Sequence, residues 1–299
     1  MKLTGLHLLL TSQCNFECDH CFVWGSPRQS GTMTFREITQ ILQQATDLGT
    51  IESVYFEGGE PFLYYAVLVA GVREARRRGF GVGIVSNGYW ATSVEDARLW
   101  LEPFAGMIDD LSVSSDLFHY DEQTSRQAQN ASAAAAHLGI PLGVISIARP
   151  DAARSGGAVG QLPAGESGVM YRGRAADKLS HLAPRRPWDT FTECPHEDLR
   201  EPGRIHVDPL GNLQICQGIV IGSLWDTPLA ALCEHYRPDE HPVTGALLKG
   251  GPVELVRRYG LPHAEAYADA CHLCYESRRL LRRQFPEILK PDSMYGVPV

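Results

Sequence analysis

The chain has 299 residues, 44% of them hydrophobic and 21% charged, a balance that allows a sizeable core and excludes a disordered protein. Lys and Arg total 27 against 35 Asp and Glu, a formal charge of -8, so no nucleic-acid partner held by phosphate contacts is expected. The longest apolar stretch, residues 62–72, is shorter than the roughly 20 residues that cross a bilayer, and no cleavage site precedes Cys14; the expectation is a cytoplasmic protein with no membrane partner.

Residues 6–11 are a short apolar run that reads as a first strand. Thr34-Phe35-Arg36-Glu37 has capping-box spacing and opens a helix with Ile38, Ile41, Leu42, Ala45 and Leu48 at helical intervals, ended by Gly49. A second strand at 51–56, a helix at 62–78 stopped by Gly79, and a strand at 80–84 alternating with Gly81 and Gly83 follow. A helix at 93–101, a strand at 108–114, a helix ending at Gly139 and a strand at 142–147 continue the alternation. After a Gly/Ala-rich loop at 151–167, a sixth strand is expected through 169–172. Six strand–helix repeats predict an α/β fold over residues 1–183: a parallel sheet with right-handed crossovers, open or curled into a partial (β/α)6 TIM-like barrel. Ligands of such folds sit at the carboxyl ends of the strands. The first cysteines, Glu57-Gly58-Gly59-Glu60-Pro61, Ser86-Asn87-Gly88, Ser114-Ser115-Asp116 and Arg149 all fall there.

Residues 184–299 read as a second, small, cysteine-rich domain of a hairpin plus helices. A linker at 184–188 leads to a hairpin at 204–216 that turns at Pro209-Leu210-Gly211-Asn212. Helical material, Cys271-His272-Leu273-Cys274 and a basic helix at 278–283 complete it.

Eight cysteines in a cytoplasmic chain need a reason, because structural disulfides are rare there. Cys14, Cys18 and Cys21 are clustered; Cys194, Cys216, Cys233, Cys271 and Cys274 come much later, a pattern of metal or cluster ligation at two places. Three thiolates on one loop hold three corners of a 4Fe-4S cluster and leave one iron open. On spacing alone, zinc with His20 as the fourth ligand is the alternative.

The triplet taken with Glu57-Gly58-Gly59-Glu60-Pro61 resembles the radical S-adenosylmethionine superfamily over residues 5 to about 175. The resemblance implies that Cys14, Cys18 and Cys21 bind the catalytic 4Fe-4S cluster, that S-adenosyl-L-methionine chelates the fourth iron, and that its reductive cleavage gives a 5′-deoxyadenosyl radical that abstracts a substrate hydrogen. Gly58 and Gly59 let backbone approach the cofactor's methionine part, and Glu60 is suited to accept from its amino group. His20 stands where relatives often place an aromatic residue near the adenine. Ser114, Arg126 and Asn87 are further candidate cofactor contacts.

Cys194, Cys216, Cys271 and Cys274 resemble a Twitch/SPASM-type extension in its shorter form, which implies one auxiliary 4Fe-4S cluster with no open site; Cys233 is surplus. A four-cysteine zinc site has the same local spacing. The implied reaction is oxidation of a polar small molecule, with the auxiliary cluster taking the electron and an external reductant such as flavodoxin or ferredoxin supplying the first one. Asp116, His119, Tyr120 and Arg149 are candidates to take up a substrate proton or hold a polar group. Radical modification of a ribosomal peptide is the second reading, and a zinc-binding scaffold is the reading of another class.

Overall fold

The computed structural model describes residues 1–122, 124–150 and 165–297. Six strands run parallel in sequence order: β1 (Leu3–Thr11), β2 (Ser53–Gly58), β3 (Gly81–Ser86), β4 (Asp110–Ser114), β5 (Leu142–Ile147) and β6 (Gly165–Ser167). The crossovers carry α1 (Phe35–Leu48), α2 (Tyr65–Arg77), α3 (Val94–Leu101) and α4 (Arg126–Leu138). This is the parallel α/β architecture that the alternation predicts.

Local chemistry sets the ends of these elements. Thr34 and Glu37 cap each other at the start of α1, and Gly49 ends that helix in the left-handed region. Ile38, Ile41, Leu42 and Ala45 bury one stripe of α1 against the sheet. The expected helix at 62–78 is divided, with a 3-10 turn at Pro61–Tyr64 ahead of α2. Pro61 starts the turn, and the Glu60 carboxylate accepts from the Phe62 N–H. The sixth strand lies at Gly165–Ser167 rather than at 169–172, because β5 pairs Ile145 to Ile147 with those residues. Most of the loop expected before it, residues 151–164, lies outside the described residues.

The chain then passes α5 (Arg174–Lys178) and a two-residue strand β7 (Arg186–Pro187), where a linker was expected. The expected hairpin is β8 (Gly203–Val207) and β9 (Asn212–Cys216), followed by β10 (Ile219–Ser223). β8 adds parallel to β1, with His7 opposite His206, so all nine of these long and short strands other than β7 form one sheet in the order β10-β9-β8-β1-β2-β3-β4-β5-β6. Helices α6 (Leu229–His235) and α7 (Thr244–Tyr259) follow. β11 (Ala266–Tyr267) then pairs with β7, and α8 (Ala270–Leu281) begins at the second cysteine pair. The basic helix expected at 278–283 is the end of α8 and the residues just after it, and its Arg278 is only 1% exposed. No helix among the described residues is long and apolar enough to cross a membrane.

Candidate active site

The carboxyl ends of the strands enclose a cavity of about 180 Å³. Cys14, Cys18, Cys21 and His20 line it, with Gly58, Gly59, Asn87, Ser114, Asp116 and His119. The loop after β1 holds its thiols by backbone donors: Phe16 N–H reaches Cys14 Sγ at 3.4 Å and Gly25 N–H reaches Cys21 Sγ at 3.2 Å. Asn87 Nδ2 lies 3.6 Å from Cys14 Sγ and donates to Asn15 Oδ1 at 2.8 Å. Burial pushes the Cys14 thiol up to about 12 and the Cys18 thiol above its ordinary range, with neighbouring thiols adding to the Cys18 shift. Thiols so raised ionise only beside a cation, which is what iron or zinc provides. The donor set therefore fits a metal or an iron–sulfur cluster.

Arg174, which the sequence reading did not single out, fixes this loop. Its Nη1 donates to the Cys18 carbonyl at 2.7 Å and its Nη2 to the Gly25 carbonyl at 2.8 Å. The glycine pair has a tighter role than expected. A Cβ on Gly59 would stand 2.1 Å from the Gln13 carbonyl oxygen, and one on Gly58, at φ +138°, 2.4 Å from that of Thr11. The space the two glycines free is thus filled by the backbone that leads into Cys14.

Glu60 departs from the role expected of it. It is fully buried and does not line the cavity; Oε1 accepts from Phe62 N–H at 3.0 Å and Ser86 Oγ at 2.9 Å, and Oε2 from Asn87 N–H at 2.7 Å. It ties the turn after β2 to the end of β3. Burial outweighs these donors and pushes its carboxyl up to about 7. Arg126 and Arg149 are exposed and do not line the cavity. Arg126 is the first residue of α4, with its side chain outward, and Arg149 lies past the end of β5.

Asp116, His119 and His20 come together. Asp116 Oδ1 takes His119 Nδ1 at 2.8 Å and the Phe118 and His119 N–H groups at 3.0 and 3.1 Å, while Oδ2 takes Ile147 N–H at 3.1 Å. Burial pushes the Asp116 carboxyl up, but His119 beside it more than compensates and holds it below its ordinary value. His20 packs at 4.7 Å from Phe118 and 5.1 Å from His119; its buried Nδ1 has no partner, and burial pulls its pKa down to about 4. It is a neutral, flat ring on the cavity wall.

A second, smaller cavity of about 20 Å³ is lined by Cys194, Cys216, Cys271 and Cys274, together with Arg172 and Arg278. The four sulfurs are near enough to perturb one another, and burial raises the thiols of Cys194, Cys271 and Cys274. Arg172 Nη1 donates to Cys216 Sγ at 3.4 Å and to Glu197 Oε1 at 3.2 Å. Four thiols, those of Cys216 and Cys274 buried and those of Cys194 and Cys271 half-buried, flanked by two guanidinium groups, fit a four-thiolate metal or cluster site. Cys233 does not line this cavity; it is 4% exposed on α6, and its carbonyl accepts from the Met1 amino group. Arg172 lines both cavities.

Sequence reasoning also missed His7, Arg204 and His206 on the wall of the first cavity, and took Glu57 beside them only as part of the glycine turn. A signal was present on β8, where Arg204 and His206 alternate with the buried Ile205 and Val207.

Residues 8–130 match the family model described as the Radical SAM superfamily. A tungsten-containing aldehyde ferredoxin oxidoreductase cofactor-modifying protein of Pyrococcus furiosus is 36% identical over 84 residues, 28% of this chain and 23% of that protein. The protein YydG of Bacillus subtilis, assigned by name to peptide biosynthesis, is 28% identical over 111 residues, 37% of this chain and 35% of its own. The matches thus span about a quarter to a third of these relatives. The solved structure "Native anSMEcpe with bound AdoMet" shares the fold, with a TM-score of 0.50 at 11% identity over 95% of this chain and 97% of that one. Residues 8–130, which carry the cysteine triplet and the glycine turn, thus match a radical SAM domain.

Proposed function

We propose that the chain is a radical S-adenosylmethionine oxidoreductase with two 4Fe-4S sites, acting on a polar small molecule. Cys14, Cys18 and Cys21 would hold the first cluster, and Cys194, Cys216, Cys271 and Cys274 the second. Bound together at the first site, the cluster and S-adenosylmethionine supply reductive cleavage of the sulfonium and, through it, hydrogen-atom abstraction.

The chain's own residues would do the rest. Asn87 and the Phe16 and Gly25 amides orient the thiols, and Arg174 clamps their loop. The neutral ring of His20 offers a flat face for an adenine, and Ser114 a hydroxyl beside it. His119, oriented by Asp116, is the candidate to accept a substrate proton. The observation that carries an oxidation is the placing of Arg172. It lines both cavities and contacts a cysteine of the second, so an electron leaving the first cavity would cross this shared wall to a site that four thiols close to substrate.

Replacing Cys14, Cys18 and Cys21 together by Ala should leave about four iron and four sulfide per chain on the second site, and Cys233→Ala should not change that content. Zinc in the second site after anaerobic reconstitution would remove the electron acceptor and the oxidation with it. A second reading, radical modification of a peptide, is favoured by the similarity to YydG. With either substrate, one S-adenosylmethionine consumed per product that is two electrons more oxidised than the substrate marks net oxidation; a product isomeric with its substrate, or many products per cofactor, marks a redox-neutral reaction.

A further inference from the structure

One cluster in the first cavity has no part in the scheme above. His7 on β1, Glu57 on β2 and His206 on β8 stand on three neighbouring strands. The pairings Leu9↔Glu57 and His7↔His206 set them side by side on the cavity wall. A single carboxylate oxygen meets both rings: Glu57 Oε1 is 3.1 Å from His7 Nδ1 and 3.0 Å from His206 Nε2. The rings are 5.2 Å apart and tilted by 58°, and Tyr55 stacks on His7 at 4.8 Å with its plane 9° away, which fixes that ring. Both histidines are buried.

One imidazole is enough to pair with a carboxylate. Two aimed at the same oxygen, each from its own strand, make a convergent donor set in which all three ligand atoms lie within 4.8 Å of one another. Two neutral imidazoles and a carboxylate suit zinc or ferrous iron and leave coordination positions open. Metal–ligand bonds of about 2.0–2.2 Å place tetrahedral neighbours roughly 3.3–3.5 Å apart, so the two carboxylate–imidazole distances need to open by only a few tenths of an ångström. Arg204 lies two residues before His206 on the same face of β8, and its buried Nε has no partner. A metal ion beside that guanidinium makes a positive corner whose open side is suited to an oxyanion.

We propose that His7, Glu57 and His206 bind a divalent transition-metal ion, and that its open position, together with the Arg204 Nε–H, takes a carboxylate or phosphate group of the substrate. The site is distinct from both cysteine sites and owes nothing to cofactor cleavage.

Zinc is the probe, because it binds such donor sets more tightly than ferrous iron. The anaerobically reconstituted full chain is incubated with zinc, passed through gel filtration and assayed for zinc, iron and sulfide. Its zinc X-ray absorption spectrum is then recorded. One zinc per chain is expected, with a nitrogen and oxygen shell at about 2.0–2.1 Å and imidazole scattering. Glu57→Gln and His206→Gln should each weaken zinc binding at least tenfold while iron and sulfide stay at the wild-type level. No zinc on the wild-type protein overturns the proposal, as do variants that keep it. A sulfur shell at about 2.3 Å overturns it even if the variants fail to fold. Inorganic phosphate titrated into the zinc-loaded protein should bind, and Arg204→Met should abolish that binding; equal binding by the variant removes the oxyanion half.

Discussion

Arg174 stands behind the cysteine loop, and its two bonds to the Cys18 and Gly25 carbonyls are buried and charge-assisted. Arg174→Met should lower stability by about 2–4 kcal/mol and reduce iron loading at the first site; unchanged unfolding and iron content would show that the loop holds itself. Glu60 makes a separate prediction. Its carboxyl is raised from 4.5 to about 7, so between those values the folded protein keeps a proton that the unfolded chain has released. That proton is lost as pH rises, and stability should fall through this window. Glu60→Gln should flatten the slope of denaturation midpoint against pH there, and an unchanged slope would place the titration on another group. Thiols at short spacing are legible because their chemistry is specific and local. The fate of Glu60 was not, because Ser86 and Asn87 reach it from the next strand. His7, Glu57 and His206 meet only through the register of three strands far apart in the chain, which no local pattern announces.

The turn after β2 depends on having no Cβ. Gly59→Ala places a methyl 2.1 Å from the Gln13 carbonyl oxygen, which is backbone and cannot swing aside. The expected loss is at the upper end of the about 1–3 kcal/mol typical of overpacking, or more, with the cysteine loop displaced. Thermal unfolding and iron content of the variant measure both effects, and a wild-type melting temperature would show that the turn has slack. Elements with strong periodicity and clear caps, such as α1, were legible from residues 34–49 alone. The short ones were not: β6 exists because β5 offers an edge at Ile145 to Ile147, and β7 because β11 returns beside it. In α8, read from the sequence only as a basic helix, Arg278 lies buried and donates to the Gln217 carbonyl at 2.6 Å. Packing beside the second cysteine site outweighed the polar composition of that segment.

Over the whole molecule, one sheet joins what composition divides. β8, from the cysteine-rich half, pairs with β1 and covers an edge of the barrel strands. A fragment ending at residue 183 would expose that edge, and an unpaired apolar strand such as Leu3–Thr11 invites association. The fragment should therefore aggregate, whereas the full chain should not; light scattering distinguishes them, and a monomeric fragment would show that the two halves are independent. The same continuity brings Cys216, at the end of β9, against Arg172, which also lines the first cavity. The central claim, that the first cavity cleaves S-adenosylmethionine at a cluster on Cys14, Cys18 and Cys21, is tested most directly by assaying 5′-deoxyadenosine. The anaerobically reconstituted protein, given S-adenosylmethionine and dithionite, should form it, and the triple Ala variant should form none while still holding iron on the second site. Equal formation by the variant, or none by the wild type with its clusters intact, would contradict the account.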